Sequence, residues 1–199
     1  MQKPNDYDSV QVYGDFVPLK LGGHICKIMQ VIETTSRSGK DMLEISLDIA
    51  EGEQKDYFAQ QYKTDTRQNK KWGCVVYQSV EDRDGGTSKG FKTFITSVEN
   101  SNPGFKPAWG NNFAGCFKGK LIGGVFGREQ YLNASNEKKF FTKCVQFRSV
   151  ESIRAGIEVP ADKLLPDSGN APGMPPSMYD SDGFMTIPDG AESELPFMS

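Results

Sequence analysis

Two stretches of the chain interleave aromatic and cationic side chains. Tyr57, Phe58, Tyr62, Lys63, Arg67, Lys70, Lys71 and Trp72 form the first; Arg128, Tyr131, Lys138, Lys139, Phe140, Phe141, Lys143, Phe147 and Arg148 form the second. Cations at such spacing can track phosphates, and ring faces can stack on bases, with each stacked base worth about 1–3 kcal/mol on alanine substitution. Every base has a π-face, so contacts of this kind tolerate any sequence. Phenylalanine is usually core, which makes tyrosine and tryptophan beside lysine the stronger candidates. Phosphate contacts would also make affinity fall with salt, by a log–log slope of roughly −0.7 per contact on single strands.

Motifs for catalysis are missing. The single histidine, His24, lies in an apolar run with no partner motif and reads as structural. There is no G-x-x-x-x-G-K-[ST], and Gly119-Lys120-Leu121-Ile122-Gly123-Gly124 does not match it. A G-x-S-x-G elbow and an H-E-x-x-H helix are likewise missing. The carboxylate pairs Glu51/Glu53 and Asp82/Asp84 flank glycines and read as solvated turns. Cys26, Cys74, Cys116 and Cys144 contain no C-x-x-C pair, which argues against a zinc site and for reduced thiols in a cytoplasmic protein. The expectation is a binding protein, without enzymatic activity, metal or cofactor.

The elements that must position these residues are mainly strands. Leu21 to Glu33 is long and apolar and opens on Gly22-Gly23; Met42 to Ala50 alternates, with Leu43, Ile45, Leu47 and Ile49 on one face. Tyr57 to Tyr62 and Cys74 to Val80 are shorter strand candidates, and Leu121 to Arg128 and Phe140 to Val150 supply two late ones. Parity along the last of these is ambiguous: Phe141, Val145 and Phe147 share one face with Lys139 and Lys143, while Phe140, Cys144 and Arg148 share the other. Between the groups, Phe91, Phe94, Ile95 and Val98 follow helical spacing, with Thr87 or Ser88 as cap and Asn102-Pro103-Gly104 at the end. This order predicts a five-stranded Greek-key barrel of the oligonucleotide-binding (OB) type, with one helix between strands 3 and 4. A β-sandwich fits the pattern nearly as well.

Charge divides the 199 residues in two. From Asp167 onward there are six acidic residues and no lysine or arginine, whereas the preceding part holds all 23 basic residues against 20 acidic ones. Six of the 11 prolines also fall from Pro166 onward, in a segment too poor in apolar residues to offset its ordering entropy. The reading is an N-terminal arm over 1–17, a folded domain over 18–165 and a disordered acidic tail over 166–199. No run approaches the ~18 apolar residues of a membrane span, and no membrane partner is expected.

Near its end the tail reads Asp189-Gly190-Ala191-Glu192-Ser193-Glu194-Leu195-Pro196-Phe197. An apolar L-P-F tip behind acidic residues resembles the C-terminal interaction peptide of bacterial and bacteriophage single-stranded DNA-binding proteins. Leu195, Pro196 and Phe197 would fill an apolar pocket on a replication or recombination enzyme while Glu192 and Glu194 meet its basic rim. Met198 and Ser199 follow Phe197 here, where the family tip ends on the phenylalanine, so recognition of a terminal carboxylate does not carry over. The stretches from Gly90 to Phe105, Gly119 to Glu129 and Phe147 to Val150 are similar to phage proteins of that group from Gram-positive hosts. The resemblance implies an OB fold over roughly 18–165, sequence-independent protection of single-stranded DNA in phage replication or recombination, and residence in the host cytoplasm. A phage strand-annealing factor or recombination mediator, or a β-rich structural module without nucleic-acid affinity, remains the alternative, and homo-oligomerisation is open.

Overall fold

The computed structural model describes residues 17–166, Gln2, Lys3, Asn5 and Tyr7 near the start, and the backbone of Phe184–Met185. The chain begins with a long antiparallel hairpin, β1 (Gly22–Thr35) and β2 (Asp41–Ile49), whose turn closes through Ser36 N–H to Lys40 O at 2.8 Å. On β2 the alternation read from the sequence puts Leu43, Ile45, Leu47 and Ile49 in the core, each at most 1 % exposed. On β1 the register slips between Ile28 and Gln30, so Cys26 and Ile28 point inward before Met29, and Val31 after it. One extra residue in a strand exchanges its faces.

A helix, α1 (Tyr57–Thr64), follows β2, and β3 (Val75–Ser79) returns beside β2. Tyr57 to Tyr62 is thus helical, not the short strand its sequence suggested. The second helix, α2 (Lys89–Ser101), is the one expected: Ser88 Oγ accepts from Phe91 N at 3.1 Å, and Phe91, Phe94, Ile95 and Val98 are buried. At its C-terminal end Asn102 fixes the helix to the next strand. Its Nδ2 donates to Leu121 O at 2.8 Å and its Oδ1 accepts from Leu121 N at 3.0 Å. A 3₁₀ turn (Ala114–Phe117) leads into β4 (Leu121–Leu132), β5 (Lys138–Arg148) and the short α3 (Val150–Arg154).

Five strands form one antiparallel sheet in the order β5-β4-β1-β2-β3, and a two-residue strand, β6 (Phe184–Met185), adds to the far side of β3 opposite Tyr77 and Gln78. Central β1 is shared, pairing β4 through Gly22–Lys27 and β2 through Cys26–Thr35. The sheet is open, with β3 and β5 apart in its order, so the closed barrel expected from the sequence is not what the pairings describe. Phe58 of α1 stacks on Phe126 of β4 at 6.2 Å. The contact adds to β1, which already joins the β2–β3 side of the sheet to the β4–β5 side. Under α2, Phe94 packs 5.2 Å from both Phe117 and Phe147, all three fully buried. Losing any one of these rings would cost about 3–5 kcal/mol. Among the described residues, no helix is long and apolar enough to cross a membrane.

Candidate nucleic-acid interface

The first cluster is assembled by α1 and the segment that brings the chain back to β3. An eight-residue helix is marginal alone, and Asp56 before it adopts a left-handed conformation without capping it. The cap comes from β2. Asp48, 1 % exposed, accepts from Phe58 N through Oδ1 at 2.9 Å and from Ala59 N through Oδ2 at 3.2 Å; Oδ1 also takes Ile49 N at 2.9 Å. Burial pushes the Asp48 carboxyl up from its ordinary value, and these N–H donors oppose that. Close approach of the returning chain needs Gly73, where a Cβ would lie 2.9 Å from Phe58 Cδ1 and 3.1 Å from Gln61 Oε1.

With α1 so placed, Tyr62 and Trp72 come together, ring centres 5.6 Å apart, and Lys70 Nζ sits 4.6 Å over the Tyr62 ring. Trp72 is half-buried and anchored by its Nε1–H to Leu47 O at 2.6 Å, which fixes the indole without using its faces. Lys63 and Lys71 are exposed beside this pair in sequence, and Lys63 lies in the last turn of α1, where a cation suits the helix dipole. Three members of the sequence cluster are engaged elsewhere, and one of them, Phe58, is buried against Phe126. Arg67 folds onto Asp65, with Nε–Oδ1 at 3.0 Å and NH2–Oδ2 at 2.8 Å, and holds that carboxyl below its ordinary range. Tyr57 packs edge-on to Phe58 at 5.1 Å, and burial pushes its phenol up.

The second cluster lies on the β4–β5 hairpin, where a bulge resolves the parity problem. Val125 pairs with Gln146 but Phe126 with Cys144, so Val145 is the extra residue and both Cys144 and Phe147 face the core. Beyond the core the same face carries Arg128, paired with Thr142, and Phe140, and the guanidinium lies 5.3 Å from the Phe140 ring centre. The opposite face carries Tyr131 and Phe141, edge to face at 5.6 Å, with Lys143 Nζ 5.8 Å from the Phe141 ring. The hairpin residues therefore divide between two faces.

Acidic partners that the sequence reading missed neutralise much of this hairpin. Arg128 makes a bidentate pair with Asp162 at 2.9 and 2.6 Å, which raises its pKa further. Lys143 pairs with Glu129, and Lys139 with Glu137 at 3.3 Å. Arg148 is half-buried opposite Gly123. Glu137 and Glu129 were near in sequence and could have been suspected, whereas Asp162 stands 34 residues from Arg128 and arrives on a segment pairing with the β4 edge through Lys163. The two clusters flank one contact: Tyr62 is one turn beyond Phe58 on α1, and Arg128 is two residues beyond Phe126 on β4. Among all the candidates, Tyr62, Lys70 and Trp72, with Lys63 and Lys71 beside them, form the most coherent surface.

His24 Nε2 is 2.8 Å from Lys20 O, and its ring meets Phe126 edge-on. All four cysteines are free thiols, and burial pushes Cys144 up to about 12, far from a reactive thiolate. The tail candidates Glu192, Glu194, Leu195, Pro196 and Phe197 lie outside the described residues. Compared with known proteins, the chain matches no family model and no curated sequence.

Proposed function

We propose that this protein binds single-stranded DNA without sequence preference, through the surface that α1 and the approach to β3 present. The observation that carries the reading is the Tyr62–Trp72 ring pair with Lys70 over Tyr62. An anchored indole, a second ring against it and a cation beside them match what an unstacked base and its phosphate require. Sheet order supports an OB-type reading in its partly open form: β1 is shared between β2 and β4, and a helix joins β3 to β4. In such folds the strand 2–3 face and the hairpin loops take the oligonucleotide; here the first cluster lies in the β2–β3 connection and the second on the β4–β5 hairpin. The β4–β5 hairpin is the weaker contact, because Arg128, Lys139 and Lys143 already hold carboxylates. The acidic tail, with Leu195, Pro196 and Phe197 near its end, recruits enzymes of replication or recombination to the bound strand.

Intrinsic fluorescence tests this directly, because Trp72 and Trp109 are the two tryptophans. In a Trp109→Phe protein, an oligo-dT of ~30 nucleotides should quench Trp72, and quenching should weaken with added salt. No quenching, together with no mobility shift in a gel, would refute the reading and leave a β-rich module without nucleic-acid affinity.

A further inference from the structure

A second surface, at the far end of the β1–β2 hairpin, has a different chemical character. Trp109 is 68 % exposed yet stacked on buried Phe113, with ring centres 4.9 Å apart and planes at 18°. Phe113 packs on Phe117 at 5.1 Å, and Phe117 on Phe94 at 5.2 Å, so an exposed indole is held on an aromatic column that reaches the core. Beside it runs a groove of about 770 Å³, floored by Met42, Phe91 and Phe113. The charged side chains along it are Glu33 and Asp41, both exposed. Thr35 pairs with Asp41 and Glu33 with Leu43, which puts the two carboxylates on one face of the hairpin, diagonal to each other. Lys40 on the same turn is committed elsewhere, donating to Asp82 O at 2.6 Å.

We propose that this groove is a protein-docking site for an extended segment that presents an arginine or lysine next to an apolar side chain. The cation would lie against the open face of Trp109 with Glu33 and Asp41 as counter-charges, and the apolar neighbour would enter between Met42 and Phe91. Charge selects this occupant: phosphates would face two carboxylates, as would the chain's own acidic tail. A rigid aromatic anchor beside an apolar pocket with charges at the rim is the arrangement of an interface hot spot.

Calorimetry on the full chain provides the test, with a capped hexapeptide of alternating arginine and leucine as the probe and its glutamate–leucine counterpart as control. The arginine peptide should bind, and the glutamate peptide should not. Glu33→Gln with Asp41→Asn should weaken binding about tenfold, as should Trp109→Leu. The charge variant alters two exposed positions, so it tests the proposal even if Trp109→Leu disturbs the fold. Unchanged affinity in the charge variant would overturn the proposal, because the peptide would then be sitting on the acidic tail that every variant keeps. No binding to the wild-type chain would overturn it as well. A loss of oligo-dT affinity in Trp109→Leu as large as that in Trp72→Leu would make the groove a base-stacking site instead.

Discussion

Asp48 is the side chain on which α1, and with it the first cluster, depends most directly. Its Oδ1 receives two backbone N–H groups at 2.9 Å and its Oδ2 one at 3.2 Å, all in an environment 1 % exposed. Asp48→Asn keeps shape and volume but replaces one acceptor by an N–H donor. In one amide orientation it strands Ala59 N–H; in the other it strands Ile49 and Phe58. An unpaired buried donor costs about 1–3 kcal/mol, and the better orientation strands one, so that is the expected loss of stability at neutral pH. Asp48→Ala strands all three donors and should lose more. The competing effect is relief from burying a charge, and its signature is pH dependence. Because the native pKa is raised above 3.8, Asp48's contribution is fully present below that value and is lost as pH rises through the native pKa. The gap between wild type and the asparagine variant should therefore be widest in acid and narrow toward neutrality. Urea denaturation followed by circular dichroism at several pH values measures both quantities, with unchanged m-values showing that the unfolded reference is the same. Since Tyr62 and Lys63 ride on α1, oligo-dT affinity should fall alongside. A loss below about 0.5 kcal/mol would refute the assignment of Asp48 as the helix cap, and a gap that widens toward neutrality would show that its N–H donors outweigh burial.

Three further outcomes follow from the geometry. Gly123→Ala would place a Cβ 2.5 Å from Ile153 Cγ1 and 2.8 Å from Arg148 O, so thermal denaturation should report a loss of roughly 1–3 kcal/mol. In oligo-dT titrations, Trp72→Leu should weaken binding by about 1–3 kcal/mol, whereas Arg128→Leu should change it by less than about 1 kcal/mol because Asp162 already holds the guanidinium. Equal effects would contradict the ranking of the two clusters. A chain ending at Pro166 loses six negative charges and no positive ones, so it should bind oligo-dT as tightly as the full chain or more so; weaker binding would count against a basic DNA surface for which the acidic tail competes.

What the sequence determined by itself is local. The alternation of Leu43, Ile45, Leu47 and Ile49 specifies a half-buried strand because side chains in a strand repeat every two residues. Ser88 and the spacing of Phe91, Phe94, Ile95 and Val98 specify α2 because cap and apolar stripe lie within one short window. The clustering of Tyr62, Lys70 and Trp72 was legible as well, since the three lie within eleven residues. Tertiary structure decided the rest. α1 read as a strand because its cap, Asp48, sits on another element, and eight residues carry too little periodicity to declare a helix. The inward face of β5 was ambiguous because a bulge at Val145 changes parity, and a bulge depends on the partner strand. Closure of the sheet was a pairing question that strand order alone does not answer. Which cations are paired within the chain was settled last, by carboxylates such as Asp162 that folding brings in from far along the chain. A charge is counted from sequence, but its availability depends on what lies within 4 Å of it.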